Sequence, residues 1–256
     1  MPTAPSLSVV IITYNEEKNI GRCLNSVRDV ADEIVVLDSF STDNTSKICA
    51  EYGVRFHQHA FDGHIEQKNR ALGLASSDWI LALDADEALS DELIKAILVE
   101  KNKGFGRALS MNRLSNYCGS WIKHGSWYPD TKLRLWNRNW GKWGGLNPHD
   151  EVVLHASAER KHLQADILHY SYYTHFEHIE RSIKYAKIAA LAMKNAGKNS
   201  GILNILFSPV IRFKRDYFLK AGFRDGFNGF FIASISAYTT FLKYCLRYID
   251  QKKQAQ

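Results

Sequence analysis

The chain has 256 residues, 45% hydrophobic and 23% charged, a composition that excludes fibrous and disordered classes and suffices for a substantial core. Four cysteines (Cys23, Cys49, Cys118, Cys245) form no CxxC pair and no metal-like spacing, so a reduced compartment is the simpler expectation. The net charge of +6 sits entirely in the tail: residues 1–200 hold 24 basic and 24 acidic side chains, residues 201–256 hold 9 and 3. That asymmetry predicts an acidic surface partner for the tail alone, and no nucleic acid.

The N-terminus "MPTAPSLSVV" has no basic n-region or small-residue cleavage site, so no signal peptide is expected. "LSVVIITYN" predicts a buried strand, with Asn15 as an N-cap and Glu16 and Glu17 in the first turn of a helix carrying Ile20, Cys23, Leu24 and Val27. "EIVVLD" (33–38), "VRFHQH" and "WILALD" predict further strands, separated by the helical stretches "SKICAEYG" and "HIEQKNRALGLA". Ser90 predicts the cap of the next helix, which ends near Gly104. Beyond residue 105, "GRALSMNRLSNYCG", "TKLRLWN", "EVVLHA" and "ADILHYSY" read as strands joined by Trp- and Gly-rich loops. "HFEHIERSIKYAKIAALAMKNAG" is an amphipathic helix stopped by Gly197.

Alternating strands and helices predict an α/β fold with a mostly parallel central sheet flanked by helices, in which ligands bind outside the carboxyl ends of the strands. Thr13–Glu16, Asp38–Asp43 and Asp84–Glu87 each follow an apolar strand, so three strands deliver polar groups to one edge. If residues 84–86 stay extended, Asp84 and Asp86 point to the same side and make a D-x-D nest for Mg²⁺ or Mn²⁺. The plain alternative is a solvated acidic loop. No G-x-G-x-x-G follows the first strand and no P-loop is present, which argues against a dinucleotide dehydrogenase or a P-loop enzyme.

The segments "VVIITYNEEKNIGRCLNSV", "EIVVLDSFSTDNT" and "EQKNRALGLASSDWILALDADE" together resemble the nucleotide-sugar half of the family 2 glycosyltransferases, which have a GT-A fold. "KLRLWNRNWGKWGGLNPHDEVV" resembles the family segment with an Arg-bearing strand and a His-Glu or His-Asp pair. The tail resembles that of bacterial lipopolysaccharide-core glucosyltransferases of the WaaE type. The resemblance implies metal-dependent, inverting transfer of a sugar, glucose by this analogy, from a nucleotide diphosphate, usually UDP, to an acceptor hydroxyl. It implies that Thr13, Tyr14 and Glu16 frame the nucleobase and ribose and that Asp38 reads the base. Lys68 then contacts the nucleotide, Asp84 lies near ribose and diphosphate, and Asp86 ligates the metal, with Asp84 beside it. His-Asp-Glu stands here where many relatives have His-Glu, so the general base is open between Asp150 and Glu151.

Inverting transfer needs a base for the acceptor hydroxyl and positive charge for the departing diphosphate. "PHDEVV" could equally be a turn capped locally by Asp150, and His149 is expected to orient a neighbour. His169 could reach the metal, although a core histidine is the commoner case. Arg134 and Arg138 either contact the diphosphate or an anionic acceptor, or line a charged outer face. Trp127 and its neighbours either stack on an acceptor sugar or fill a second core.

The expected organisation is a GT-A domain over 1–200, with a donor half (1–104) and an acceptor half (105–200), followed by a helical extension over 201–256. The extension interleaves Phe207, Val210, Ile211, Phe213, Tyr217 and Phe218 with Arg212, Lys214, Arg215 and Lys220, the pattern of an interfacial helix on an anionic membrane. A lid or a dimer interface is the alternative, and a homo-oligomer stays open. A glycolipid acceptor and a peripheral place at the inner face of the bacterial cytoplasmic membrane follow by analogy. Competing functions are a polyprenyl-phosphate or exopolysaccharide glycosyltransferase, a nucleotidyltransferase, and a non-catalytic sugar- or lipid-binding protein.

Overall fold

The structure, a computed structural model, describes residues 4–146 and 149–254. Strands and helices alternate at first: β1 (Leu7–Thr13), α1 (Ile20–Val27), β2 (Glu33–Asp38), α2 (Thr45–Glu51), β3 (Arg55–Gln58), α3 (His64–Leu74) and β4 (Trp79–Asp84). There follow β5 (Glu87–Leu89), α4 (Asp91–Asn102), β6 (Ala108–Tyr117), β7 (Ser120–Ile122) and β8 (Thr131–Asn137). A hairpin of β9 (Gly141–Leu146) and β10 (His149–Leu154), the long β11 (Arg160–Tyr172), and α5 (His175–Asn195), α6 (Ile202–Lys214) and α7 (Gly226–Gln254) complete the chain.

The fold is α/β and GT-A-like, with helices on both faces of the central sheet and a basic, aromatic helical extension at the C-terminus. Strands β3, β2, β1 and β4 are parallel neighbours. On the far side of β4 lies β8, running antiparallel. Residues of β1 alternate between two cores as a strand's two-residue period requires. Leu7, Val9 and Ile11 pack with α1 and α4, while Val10 packs with Ala71 and Leu72 of α3 and with Trp136 and Trp143. Each Leu or Ile buried in this way contributes roughly 1.5–3 kcal/mol over leaving it exposed.

At the amino ends of the strands Glu33 acts as a staple. Its carboxylate accepts from the Ser8 hydroxyl, the Ser76 N–H and the Arg55 guanidinium. Burial pushes this carboxyl up, but the hydrogen bonds more than offset it and hold it at about 2. Ser90 caps α4 as expected, its hydroxyl accepting from the Leu93 N–H at 3.2 Å. Asn15 does not cap α1. It sits at a φ of 53°, and α1 begins five residues later.

Two compact units interleave in sequence: residues 1–113 with 130–170, and 114–129 with 171–256. In the second unit, Tyr117, Ile122 and Ile232 form a small core with Trp127, Tyr172 and Phe231 packed against it. Here α6 runs through a π-turn (Arg215–Leu219) and a 3-10 turn (Gly222–Asp225) into α7. Two carboxylates hold this elbow. Asp216 accepts from Arg212, Arg215 and the Ser126 hydroxyl at 2.6–2.8 Å. Asp225 accepts from the His124 N–H at 2.9 Å and pairs with its Nδ1 at 2.8 Å. Phe213 and Tyr217, expected on an outer face, stack on each other with centroids 5.3 Å apart and meet Phe230 edge-on. No helix among the described residues is long and apolar enough to cross a membrane.

Candidate active site

The carboxyl ends of β1, β2 and β4 meet because the strands are in parallel register, Thr13 opposite Asp38 and Ile12 opposite Asp84. The loops after β1 and β2 are laced together. The Asn15 N–H donates to the Ser41 hydroxyl and the Asn15 side chain accepts from the Thr42 N–H, both at 2.8 Å. The Glu16 N–H donates to Thr45 Oγ1 at 2.9 Å, and Glu17 accepts from the N–H and side chain of Asn44. This lacing accounts for the left-handed Asn15, since its side chain must face the second loop rather than its own helix. Tyr14 is left 58% exposed beside it, and the Thr13 hydroxyl is buried with no hydrogen-bond partner among the described residues. Asp38 is fully buried. Its oxygens already accept from the Ser41 N–H and hydroxyl and from Gln58 Nε2, so in this arrangement it braces the 39–41 loop and does not face the open edge.

An ion cluster lies past the end of β4. Lys68 Nζ, on α3, stands 3.0 Å from Asp84 Oδ1 and 2.8 Å from Asp150 Oδ2. Arg134 Nη2, on β8, reaches Asp84 Oδ2 at 3.1 Å and Glu87 Oε1 at 2.7 Å. Arg113 extends the chain to Asp130 at 2.8 Å. Burial pushes the Asp84 carboxyl up, but Lys68 and then Arg134 outweigh it and hold the group well below the usual carboxylate range. Burial pulls Arg134 down, and Glu87 and Asp84 more than restore it. Trp143 covers the cluster, its ring 4.5 Å from Lys68 Nζ and 5.6 Å from Arg134 Cζ. Nε and Nη1 of Arg134 and Nε1 of Trp143 are buried N–H donors with no acceptor among the described residues.

Residues 84–86 do not stay extended. The chain turns at Ala85 and Asp86 because Glu87–Leu89 must reverse to pair with β11. Asp84 is committed to two cations, whereas Asp86 Oδ2 stands 3.3 Å from His169 Nε2 on β11. No cluster of three or more His, Cys, Asp or Glu suited to a metal occurs among the described residues. One carboxylate and one imidazole at this spacing nevertheless fit a divalent ion that takes its other ligands from phosphate and water. Asp86 and His169 are the residues that would hold it. An ion at Asp84 would sit beside Lys68 and Arg134.

Other expected residues separate. Asp150 faces Lys68, while Glu151, next along β10, is exposed on the other side of the strand. The orienting role expected of His149 concerns a side chain outside the described residues. Because β8 is antiparallel to β4, Asn137 pairs with Trp79, and Arg138 lies at the opposite end of β4 from Arg134. There Arg138 donates to the Ala75 carbonyl at 2.7 Å. Trp127 belongs to the second unit and stacks on Tyr172 with centroids 5.7 Å apart. Glu87 was legible as part of an acidic run, but nothing in the sequence marked it, Arg113 or Trp143 as partners of Asp84.

The Glycosyl transferase family 2 profile matches residues 8–164, a span holding all of this cluster. The chain is 30% identical over 248 residues to an uncharacterized glycosyltransferase of Rickettsia typhi, covering 93% of this chain and 85% of that one. It is 30% identical over 251 residues to the lipopolysaccharide core biosynthesis glycosyltransferase LpsC of Rhizobium meliloti, covering 94% and 91%. Among solved structures, one match is glucosyl-3-phosphoglycerate synthase from Mycobacterium tuberculosis in complex with Mn²⁺, UDP and glucosyl-3-phosphoglycerate. It is 25% identical over 44% of each chain, with a TM-score of 0.35. A parallel sheet edge carrying these polar loops, within a profile match over most of the chain, makes the protein a nucleotide-sugar-dependent glycosyltransferase that belongs to glycosyl transferase family 2.

Proposed function

We propose that the protein moves a hexose, glucose in the first instance, from UDP to a hydroxyl of a membrane glycolipid such as the lipopolysaccharide inner core, with inversion at the anomeric carbon. In this it would act like the WaaE-type enzymes, at the inner face of the cytoplasmic membrane. The relationship to LpsC over nearly the whole of both chains supports the acceptor class. The observation that carries the chemistry is Asp150, brought within 2.8 Å of Lys68 from 82 residues away, beside Asp84 and Arg134.

Asp150 takes the proton of the acceptor hydroxyl as the sugar transfers. Lys68 holds Asp150 in place before substrate arrives. The unsatisfied N–H groups of Arg134 support an oxygen-rich ligand here, since each buried donor without a partner costs about 1–3 kcal/mol. Thr13, Tyr14 and Glu16 frame the nucleoside, on a loop braced through Asp38. Asp86 and His169 would hold a divalent ion, Mg²⁺ or Mn²⁺, which when bound would supply positive charge for the diphosphate.

The test is a transfer assay over UDP-, GDP- and dTDP-sugars with defined glycolipid acceptors, with and without chelator. Asp150→Asn lowers transfer by about 10²–10⁴-fold while UDP-sugar binding by calorimetry persists. Glu151→Gln stays near wild type. Full transfer by Asp150→Asn rejects the assignment.

A further inference from the structure

The second compact unit presents a surface that sugar transfer does not use. Residues of α6 at helical spacing face outward and are apolar: Leu203, Leu206, Phe207, Val210 and Ile211 are each more than half exposed. No residue of α6 is buried. The elbow extends the stripe through Phe218 and Leu219, the latter 82% exposed. A helix on the surface of a water-soluble domain has the reverse pattern, and a contiguous apolar stripe of this kind marks a docking surface.

The charge around the stripe selects its occupant. Lys214, Lys220 and Arg224 are exposed at its elbow end and make no ion pair among the described residues. The side-chain carboxylates of residues 201–256 are each engaged: Asp216 with Arg212 and Arg215, Asp225 with the His124 ring, and Asp250 with Arg247 and Lys194. The unpaired charges that residues 201–256 carry at the elbow are therefore cationic. A second copy docking through the same stripe would bring its own unpaired cations and no free carboxylate of this segment, whereas anionic headgroups would neutralise them. The elbow is also held in shape by Asp216 and Asp225, so Phe218 and Leu219 project from a fixed support and little ordering entropy is lost on docking.

We infer that α6 and the elbow after it form a docking surface for an anionic lipid bilayer. The apolar stripe enters the boundary between headgroups and acyl chains, and Lys214, Lys220 and Arg224 meet the headgroup phosphates. The protein lies on the bilayer and does not span it. The docking stands on this surface alone; only its purpose, bringing the active site to a lipid-linked acceptor, rests on the proposed reaction.

Flotation of the full chain with vesicles of phosphatidylglycerol, and separately of phosphatidylcholine, tests it. Binding is expected to phosphatidylglycerol at low salt and to weaken on phosphatidylcholine or at high salt. Lys214→Ala with Lys220→Ala weakens it by about twenty-five-fold, near fivefold per charge. Leu206→Asp and Leu219→Asp each weaken it by at least about tenfold. Both lie on the surface, so circular dichroism and hydrolysis of UDP-glucose in solution remain as in wild type. No flotation with phosphatidylglycerol at low salt overturns the inference, as does flotation undiminished by both aspartate substitutions. A wild-type dimer by light scattering that Leu206→Asp splits, without vesicle binding, overturns it in favour of an interface between copies. If flotation holds while transfer to every lipid acceptor fails, the proposed reaction falls and the docking surface stands.

Discussion

Lys68 is the residue on which the site's electrostatics turn. Its side chain is buried, and its ammonium lies over the Trp143 ring and faces two carboxylates that come from distant parts of the chain. Removing one partner of a buried ion pair leaves the other uncompensated, which costs far more than the intact pair contributes. Lys68→Met should therefore destabilise the protein by about 3 kcal/mol in urea unfolding, and should reduce transfer even under conditions where the variant is fully folded. A variant as stable as wild type would mean that Asp84 and Asp150 do not depend on this cation. At the same scale, Asp84 and Asp86 show how one turn divides two neighbouring carboxylates, one toward Lys68 and Arg134 and the other toward His169.

At the scale of elements, the elbow between α6 and α7 is the most constrained connection. A Cβ added at Gly229 would lie 1.9 Å from the Gly222 carbonyl oxygen, a backbone atom that cannot rotate away. Gly229→Ala should thus force the 3-10 turn off α7 and lower the melting temperature, and it should loosen the elbow enough to expose 215–226 to limited proteolysis. Unchanged cleavage and melting would show that the two backbones are not in contact. Elements also decided which arginine matters. Arg134 and Arg138 look alike in "KLRLWNR", yet Arg134 lies within β8 and Arg138 in the 3-10 turn that follows it. Only Arg134 reaches the end of β4 where the acids are.

For the whole molecule, acid stability should fall in two windows. Burial, with a smaller contribution from His175, lowers His178 from 6.5 to about 4, so the folded protein disfavours its imidazolium. Between these values the unfolded chain binds the proton more readily, and stability drops as the pH is lowered through that window, by about 3 kcal/mol in all. Above 6.5 the contribution is fully present. Glu33 adds a second decline as the pH falls from 4.5 toward 2, because its ionised form is the one the fold holds. Urea titrations across this range check both limbs, and His178→Asn should flatten the upper one. A single transition below pH 4 would contradict the His178 assignment.

The sequence by itself determined the α/β layering, since alternating β-branched runs and amphipathic helices at short loop lengths leave few other ways to bury their apolar faces. It also determined that polar groups gather at the carboxyl edge, and the candidate residues Lys68, Asp84, Asp86 and Asp150 were all legible there. Tertiary structure alone decided their partnerships. Which carboxylate meets Lys68, that Asp86 pairs with His169, that Asp38 is sealed inside, and that Trp127 packs in another unit all depend on contacts between residues far apart in the chain. Periodicity reports which face a side chain occupies on its own element, but not what stands opposite, because that is set by strand direction and register across the sheet.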